Sequence, residues 1–173
     1  MRLETLEGEA TRPTAERVKE AVFSMIQFDI EGRSVLDLFA GSGQLGLEAL
    51  SRGAEKATFV DRSADAVNII RNNARKTKMA DRCIITGSDW AAFIRGAAGR
   101  EKYGVIFIDP PFAENLAPEV LRRLAEADLI ADHAMIIAES GSDEEITAPG
   151  LKTIRHNQYG KIYISLLTKE PAL

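Results

Sequence analysis

Cysteine is almost missing from this chain: Cys83 is the single thiol in 173 residues, which excludes an intramolecular disulfide. Its setting, Arg82-Cys83-Ile84-Ile85, reads as strand core, so a structural thiol is expected rather than a nucleophile. Histidine is nearly as scarce. His133 and His156 stand alone without ligand spacing, and they support neither a metal site nor a catalytic dyad. No apolar run approaches the ~20 residues a membrane helix needs. The N-terminus lacks the apolar core of a signal peptide, so a cytoplasmic location is the default expectation. An excess of positive charge is also absent. The formal net charge of −4 argues against sequence-independent coating of nucleic acid, while leaving room for a local basic face. Repeats, low-complexity segments and linkers do not occur, so residues 1–173 read as one domain.

What the chain does have is a regular alternation of apolar patterns. Thr14 is the expected N-cap of a first helix, with Glu16 in its first turn. Val18, Ala21, Val22, Met25 and Ile26 then give that helix one buried stripe. Strands are expected over Ser34 to Phe39, Ala57 to Val60, Arg82 to Thr86, Val105 to Ile108 and Ala134 to Ala138. Helices are expected between them: Leu45 to Leu50, about Ala64 to Lys76, one starting at Trp90, and one marked by Leu116, Val120 and Leu124. Two tail strands, Leu151 to Ile154 and Ile162 to Leu167, flank Tyr159-Gly160 and should form a hairpin. The fold class is therefore α/β. It should be a doubly wound, mostly parallel seven-stranded sheet with an antiparallel strand from the C-terminal hairpin.

Chemistry concentrates at the ends of these strands. Asp109-Pro110-Pro111-Phe112 follows the apolar run Val105-Ile106-Phe107-Ile108. Two prolines stop a strand abruptly and push the residue before them into an extended conformation. A carboxylate and a proline carbonyl are thus held rigidly where open α/β sheets bind ligands. Upstream, Gly41-x-Gly43-x-x-Gly46 follows a strand and opens a helix, with Asp61 at the interval of a dinucleotide fingerprint. Asp37, inside the strand before that loop, would repel a pyrophosphate and suits the cationic end of S-adenosylmethionine. Asp61 at the second strand end can accept from ribose hydroxyls, and Asp89 at the third can accept from an adenine amine. Each acid alone is commonly a helix cap or an exposed turn residue. Carboxylates at four successive strand ends are harder to assign to solvated surface.

Asp37-Leu38-Phe39-Ala40-Gly41-Ser42-Gly43, Asp61, Ser88-Asp89 and Asp109-Pro110-Pro111-Phe112, in that order, resemble a class I methyltransferase acting on exocyclic amines. With Arg12-Pro13-Thr14, the segment Arg17 to Phe23 and Leu45-Gly46-Leu47-Glu48-Ala49-Leu50, the chain resembles the RsmD family over nearly its whole length. These are guanine-N2 methyltransferases of small-subunit (16S) ribosomal RNA. The resemblance implies S-adenosylmethionine as cofactor, held by Asp37, Phe39, Gly41, Ser42, Gly43, Asp61, Arg62, Ser88 and Asp89. It implies catalysis at Asp109, Pro110, Pro111 and Phe112, with Phe112 a face for the base to stack on rather than plain core. RNA contacts are expected at Arg12, Thr14 and Arg17, so that residues 1–30 contribute to the RNA and cofactor face. The partner would be 16S rRNA or a small-subunit particle, met by a monomer needing no metal and no membrane. Family members begin with a further basic strand or hairpin ahead of the segment matching Arg2-Leu3-Glu4-Thr5. This chain starts almost inside that segment, which leaves either a truncated sequence or a protein without part of its RNA-facing arm.

Three other readings compete. An adenine-N6 methyltransferase of DNA or RNA shares the Asp-Pro-Pro-aromatic chemistry, but DNA enzymes of that kind usually carry a separate target-recognition region. An NAD-dependent oxidoreductase shares the glycine loop. A non-catalytic RNA-binding assembly factor shares the fold. Trp90 is read as cover for the adenine or as core, and Asp143-Glu144-Glu145 as a solvated turn.

Overall fold

The computed structural model describes residues 3–5, 13–111 and 115–171, the side chains of 13–15 excepted. Arg12 and Phe112, and the side chain of Thr14, therefore lie outside the described residues. In chain order the elements are α1 (Pro13–Ile26), β1 (Ser34–Asp37), α2 (Gln44–Ser51), β2 (Lys56–Asp61) and α3 (Ala64–Lys76). They continue with β3 (Cys83–Gly87), α4 (Trp90–Ala97), β4 (Tyr103–Ile108), α5 (Ala117–Glu126), β5 (Ile130–Ser140), β6 (Leu151–Tyr159) and β7 (Ile162–Lys169). The strands form one seven-stranded sheet ordered β3-β2-β1-β4-β5-β7-β6. β1 to β5 pair in parallel, whereas β7 runs antiparallel to both of its neighbours, β5 and β6. β7 inserts between β5 and β6, so the terminal hairpin extends the sheet by two strands and only β7 is reversed.

Period-two alternation divides the core between the two faces of this sheet. Val35, Ala57, Phe59, Val105 and Phe107 pack with α1, α2 and α3 through Val22, Phe23, Ile26, Leu47, Leu50 and Ile70. Leu36, Val60, Ile106, Ile108 and Ile136 pack on the other face with Ile94 of α4 and Val120, Leu121 and Leu124 of α5. A parallel sheet covered on both faces needs strands that are apolar throughout. The run Val105-Ile106-Phe107-Ile108, essentially without exposure, meets that need.

Several expected boundaries move, each for a local reason. Thr14 is not the N-cap of α1, because the helix already includes Pro13, a residue suited to the first helical position where its missing N–H is not needed. β1 ends at Asp37 rather than Phe39. Leu38 N–H still donates to Phe107 O at 3.2 Å, but Ala40 N–H crosses to Val60 O at 3.0 Å, so the chain has begun to turn. β4 begins at Tyr103, where Arg33 packs so close over Gly104 that a Cβ would lie 2.9 Å from its Cδ. β5 begins at Ile130, because Ile130 pairs with Tyr103 ahead of a register shift. His133 sits at φ 62 within that irregularity, which hides the strand period in the sequence.

Candidate active site

The sheet order reverses direction between β1 and β4, and open α/β sheets bind ligands at such a switch point, beyond the carboxyl ends of the strands. The glycine loop leaves β1 there, and Asp109-Pro110-Pro111 leaves β4. The sequence-predicted acids therefore converge on one edge of the sheet. Asp37 closes β1, Asp61 closes β2, Asp89 follows β3 and Asp109 follows β4.

The loop is shaped by its glycines and braced by two of the acids. Gly43, at φ 83, caps α2 in a left-handed conformation that costs glycine nothing. A Cβ on Gly46 would collide with the Phe59 ring, so the third glycine serves the packing of α2 on β2. Asp37 is buried, and its Oδ2 accepts from Gly46 N–H at 3.1 Å, which pins the first turn of α2 to the strand. Asp61 accepts from Gly41 N–H at 2.9 Å through Oδ2 and from Ser63 N–H at 2.9 Å through Oδ1. Each oxygen keeps a further lone pair, so this carboxylate can brace the loop and still accept from a ligand's hydroxyls. Ser42 is buried, with its carbonyl accepting from Asn73 Nδ2 at 3.0 Å.

The remaining predicted positions are less uniform. Asp89 is the N-cap of α4, with Oδ1 accepting from Ala92 N–H at 2.9 Å; its second oxygen takes no part in that cap. Ser88 donates to the carbonyl of Asp89 at 2.9 Å, Phe39 is half-buried against the α4–α5 core, and Arg62 is exposed. Trp90 packs into the same core with the Arg123 guanidinium 5.3 Å from its ring centroid, so this ring is engaged from within. On α1, Lys19 pairs with Glu48 at 3.3 Å, whereas Arg17 is exposed and makes no ion pair among the described residues. His156 bonds Ser165 Oγ at 2.8 Å and the Asp143 carbonyl at 3.1 Å while stacking on Tyr163, a structural role. Residues 143–145 are exposed. Burial pushes the Cys83 thiol up to about 11. Among the described residues no cluster of acids, histidines and cysteine could hold a metal, and no helix is long and apolar enough to cross a membrane.

Two site residues escape the sequence reading. Asn73 is fully buried on α3 and clamps the glycine loop to the N-terminal segment through Ser42 and Glu4. Its signal is a polar residue on the inward stripe, three positions after Ile70. Glu139 ends the core run of β5, and its side chain hydrogen-bonds Asp109. In the parallel register Ile108 faces Ala138, so Asp109 and Glu139 follow side by side. Burial, followed by the Asp109 charge, pushes the Glu139 carboxyl up to about 9. Crowding by protein also raises Asp109, while the hydrogen bond from Glu139 pulls the other way. Asp109 nevertheless keeps accessible surface, as expected for a carboxylate at the wall of an open cleft. Beside Asp109, Pro110, Pro111, Leu116, Glu139 and Ser140 line a depression.

Residues 1–168 match the family described as Conserved hypothetical protein 95. The chain is 34% identical over 149 residues to Ribosomal RNA small subunit methyltransferase D of Haemophilus influenzae, covering 86% of this chain and 77% of that protein. It is 36% identical over 147 residues to the protein of the same name in Escherichia coli, covering 84% of this chain and 70% of that one. Among solved structures, the Escherichia coli protein described as "Putative methyltransferase yhhF" superposes with a TM-score of 0.87 at 30% identity, covering 99% of this chain and 93% of that one.

Proposed function

This chain belongs to the RsmD family, and from that premise we propose that it methylates the exocyclic N2 amine of a guanine in small-subunit (16S) ribosomal RNA, using S-adenosylmethionine. The observation that carries the reading is Asp109-Pro110-Pro111 at the end of β4, beside the switch point and next to the glycine loop. The donor set suits the cofactor: a loop with Gly41 at φ 59 and Gly43 at φ 83, ribose acceptors on Asp61, and the second oxygen of Asp89 for an adenine amine. The cofactor supplies an electrophilic methyl on a sulfonium.

A purine's exocyclic amine is a poor nucleophile because its lone pair is delocalised into the ring. Accepting its two N–H bonds at the Asp109 carboxylate and the Pro110 carbonyl pulls the nitrogen toward pyramidal geometry and frees that lone pair. Asp109 need not be a strong base, since the proton is lost readily once nitrogen is alkylated. Holding the amine in attack geometry supplies most of the acceleration, and the acceptors add about 10²-fold. The guanine enters unstacked, from a loop or by flipping. Arg17, exposed on α1, would contact a phosphate, and the protein would work as a cytoplasmic monomer on 16S rRNA or a small-subunit particle.

The test is mass-spectrometric nucleoside analysis of 16S rRNA and small-subunit particles incubated with S-adenosylmethionine and either wild type or Asp109→Ala. The expected result is N2-methylguanosine with wild type only, and cofactor affinity within a few-fold for the variant. N6-methyladenosine instead would move the assignment to adenine chemistry. No transfer at all would leave an assembly factor with this fold.

A further inference from the structure

We propose that Glu139 is a positioning residue for methyl transfer: from the neighbouring strand its side chain hydrogen-bonds Asp109 and holds that carboxylate in one orientation toward the target amine. This rests on the reaction assigned above and concerns a residue outside the Asp-Pro-Pro segment. Two geometric observations carry it. β4 and β5 are paired in parallel up to Ile108 and Ala138, so Asp109 and Glu139 are the next residues on adjacent strands. Glu139 also lines the depression that runs along Pro110 and Pro111, the two residues that follow Asp109.

The chemistry follows from counting lone pairs and protons. A carboxylate whose oxygens are both unengaged can rotate about its last bond and swing away from the amine. An O–H donated by Glu139 occupies one lone pair of Asp109 and fixes the plane of the carboxylate. The oxygen that remains then faces the amine without rearrangement. Sharing one proton between the two groups also keeps a single negative charge at the site. Two adjacent carboxylates would repel each other and displace Asp109.

Among the described residues, the groups around Glu139 leave it no other ionic partner. Ala138 and Ser140 flank it on β5, and Ile164 lies opposite on β7, next to Tyr163. The α5 side of the depression contributes Asn115, Leu116 and Ala117, while Glu119 is paired to Arg122 and Arg123. On the far side, His156 is bonded to the Asp143 carbonyl, and Asp143 itself is exposed. Asp109 is the one charge acting on Glu139 among the described residues.

The experiment combines pH profiles with infrared spectroscopy. Wild-type kcat on small-subunit particles should fall as pH rises past about 9, where Glu139 loses its proton. Glu139→Gln keeps a donor and cannot ionise, so it should retain activity within a few-fold at neutral pH and lack the alkaline fall. Glu139→Ala should lower kcat by about tenfold to a hundredfold, as for a lost hydrogen bond to a charged group, with KM and cofactor affinity unchanged. Independently of activity, the C=O stretch of a protonated carboxyl should be present at neutral pH in wild type and missing in Glu139→Gln. Wild-type kcat in Glu139→Ala, an unaltered alkaline limb in Glu139→Gln, or persistence of the infrared band in that variant would each overturn the proposal. A wild-type protein that transfers no methyl to guanine overturns the reaction assignment instead, and the two failures are distinct.

Discussion

Asn73 reaches from the buried side of α3 to the carbonyl of Ser42, with Nδ2 donating at 3.0 Å, and the same nitrogen donates to the Glu4 carbonyl at 3.0 Å. Its Oδ1 accepts from Glu4 N–H at 2.7 Å. One amide side chain thus ties the N-terminal segment, a helix and the glycine loop together. Asn73→Ala removes all three bonds and strands buried backbone groups, each of which costs roughly 1–3 kcal/mol. A loss of at least ~2 kcal/mol of folding stability is expected by urea denaturation. Weaker binding of S-adenosylhomocysteine in calorimetry should accompany it, because the loop loses its brace.

Gly46→Ala tests the packing of α2 on the sheet. The added methyl has nowhere to go except into the Phe59 ring, which is itself fully buried. Overpacking of this kind costs about 1–3 kcal/mol, to be read as a lower denaturation midpoint. The double variant Gly46→Ala, Phe59→Leu should recover part of the loss.

Asp61 has both a structural and a ligand-binding part, and two substitutions separate them. Asp61→Ala releases Gly41 and Ser63 and removes the ribose acceptor, so cofactor affinity should fall by ~10²-fold or more. Asp61→Asn keeps one oxygen acceptor and should lose less. Equal affinities of wild type and Asp61→Ala in calorimetry would remove this residue from the cofactor site.

Glu139 should make the protein lose stability as pH rises. Its carboxyl is raised from an ordinary value of 4.5 to about 9, so between those values the folded state binds a proton that the unfolded state has released. The stabilising contribution is complete below the lower value and declines until about 9. Glu139→Gln removes this dependence. The variant should therefore gain stability relative to wild type at mildly alkaline pH compared with mildly acidic pH, as measured by urea midpoints at both.

Cys83 should be unreactive at neutral pH. Burial holds its thiol near 11, and Sγ donates to Met79 O at 3.3 Å. Alkylation by iodoacetamide, followed by mass spectrometry, should be slow below that range and accelerate only as the thiolate forms. Fast modification at neutral pH would show that β3 opens locally.

How much was legible in the chain itself differs from element to element. α3 is expected over Ala64 to Lys76 and found there, because its signals are local: Ser63 caps it by accepting from Ala66 N–H at 3.2 Å, and Arg75 and Lys76 close the last turn. The alternation of strands and helices, the glycine loop and the acids at strand ends are likewise readable, since each depends on residues only a few positions apart. Thr14 shows the limit at a helix end, where the helix starts at Pro13, two residues before the start that a Thr14 cap implies.

Other features depend on contacts between distant segments, which no local pattern encodes. The insertion of β7 between β5 and β6 is a choice of pairing partner, and it places Ile164 across from Glu139. Asn73 reads as an ordinary polar residue until its partners, 31 and 69 positions away, are brought to it. Glu139 reads as the polar end of a strand until parallel register sets it beside Asp109, and only then does burial keep its proton in place. The α/β alternation and the stations of the acids follow from local residue patterns, through period, caps and turn chemistry. Tertiary structure alone decided that Asp109 and Glu139 lie side by side and what braces the loop, because both depend on pairing between segments far apart in the chain.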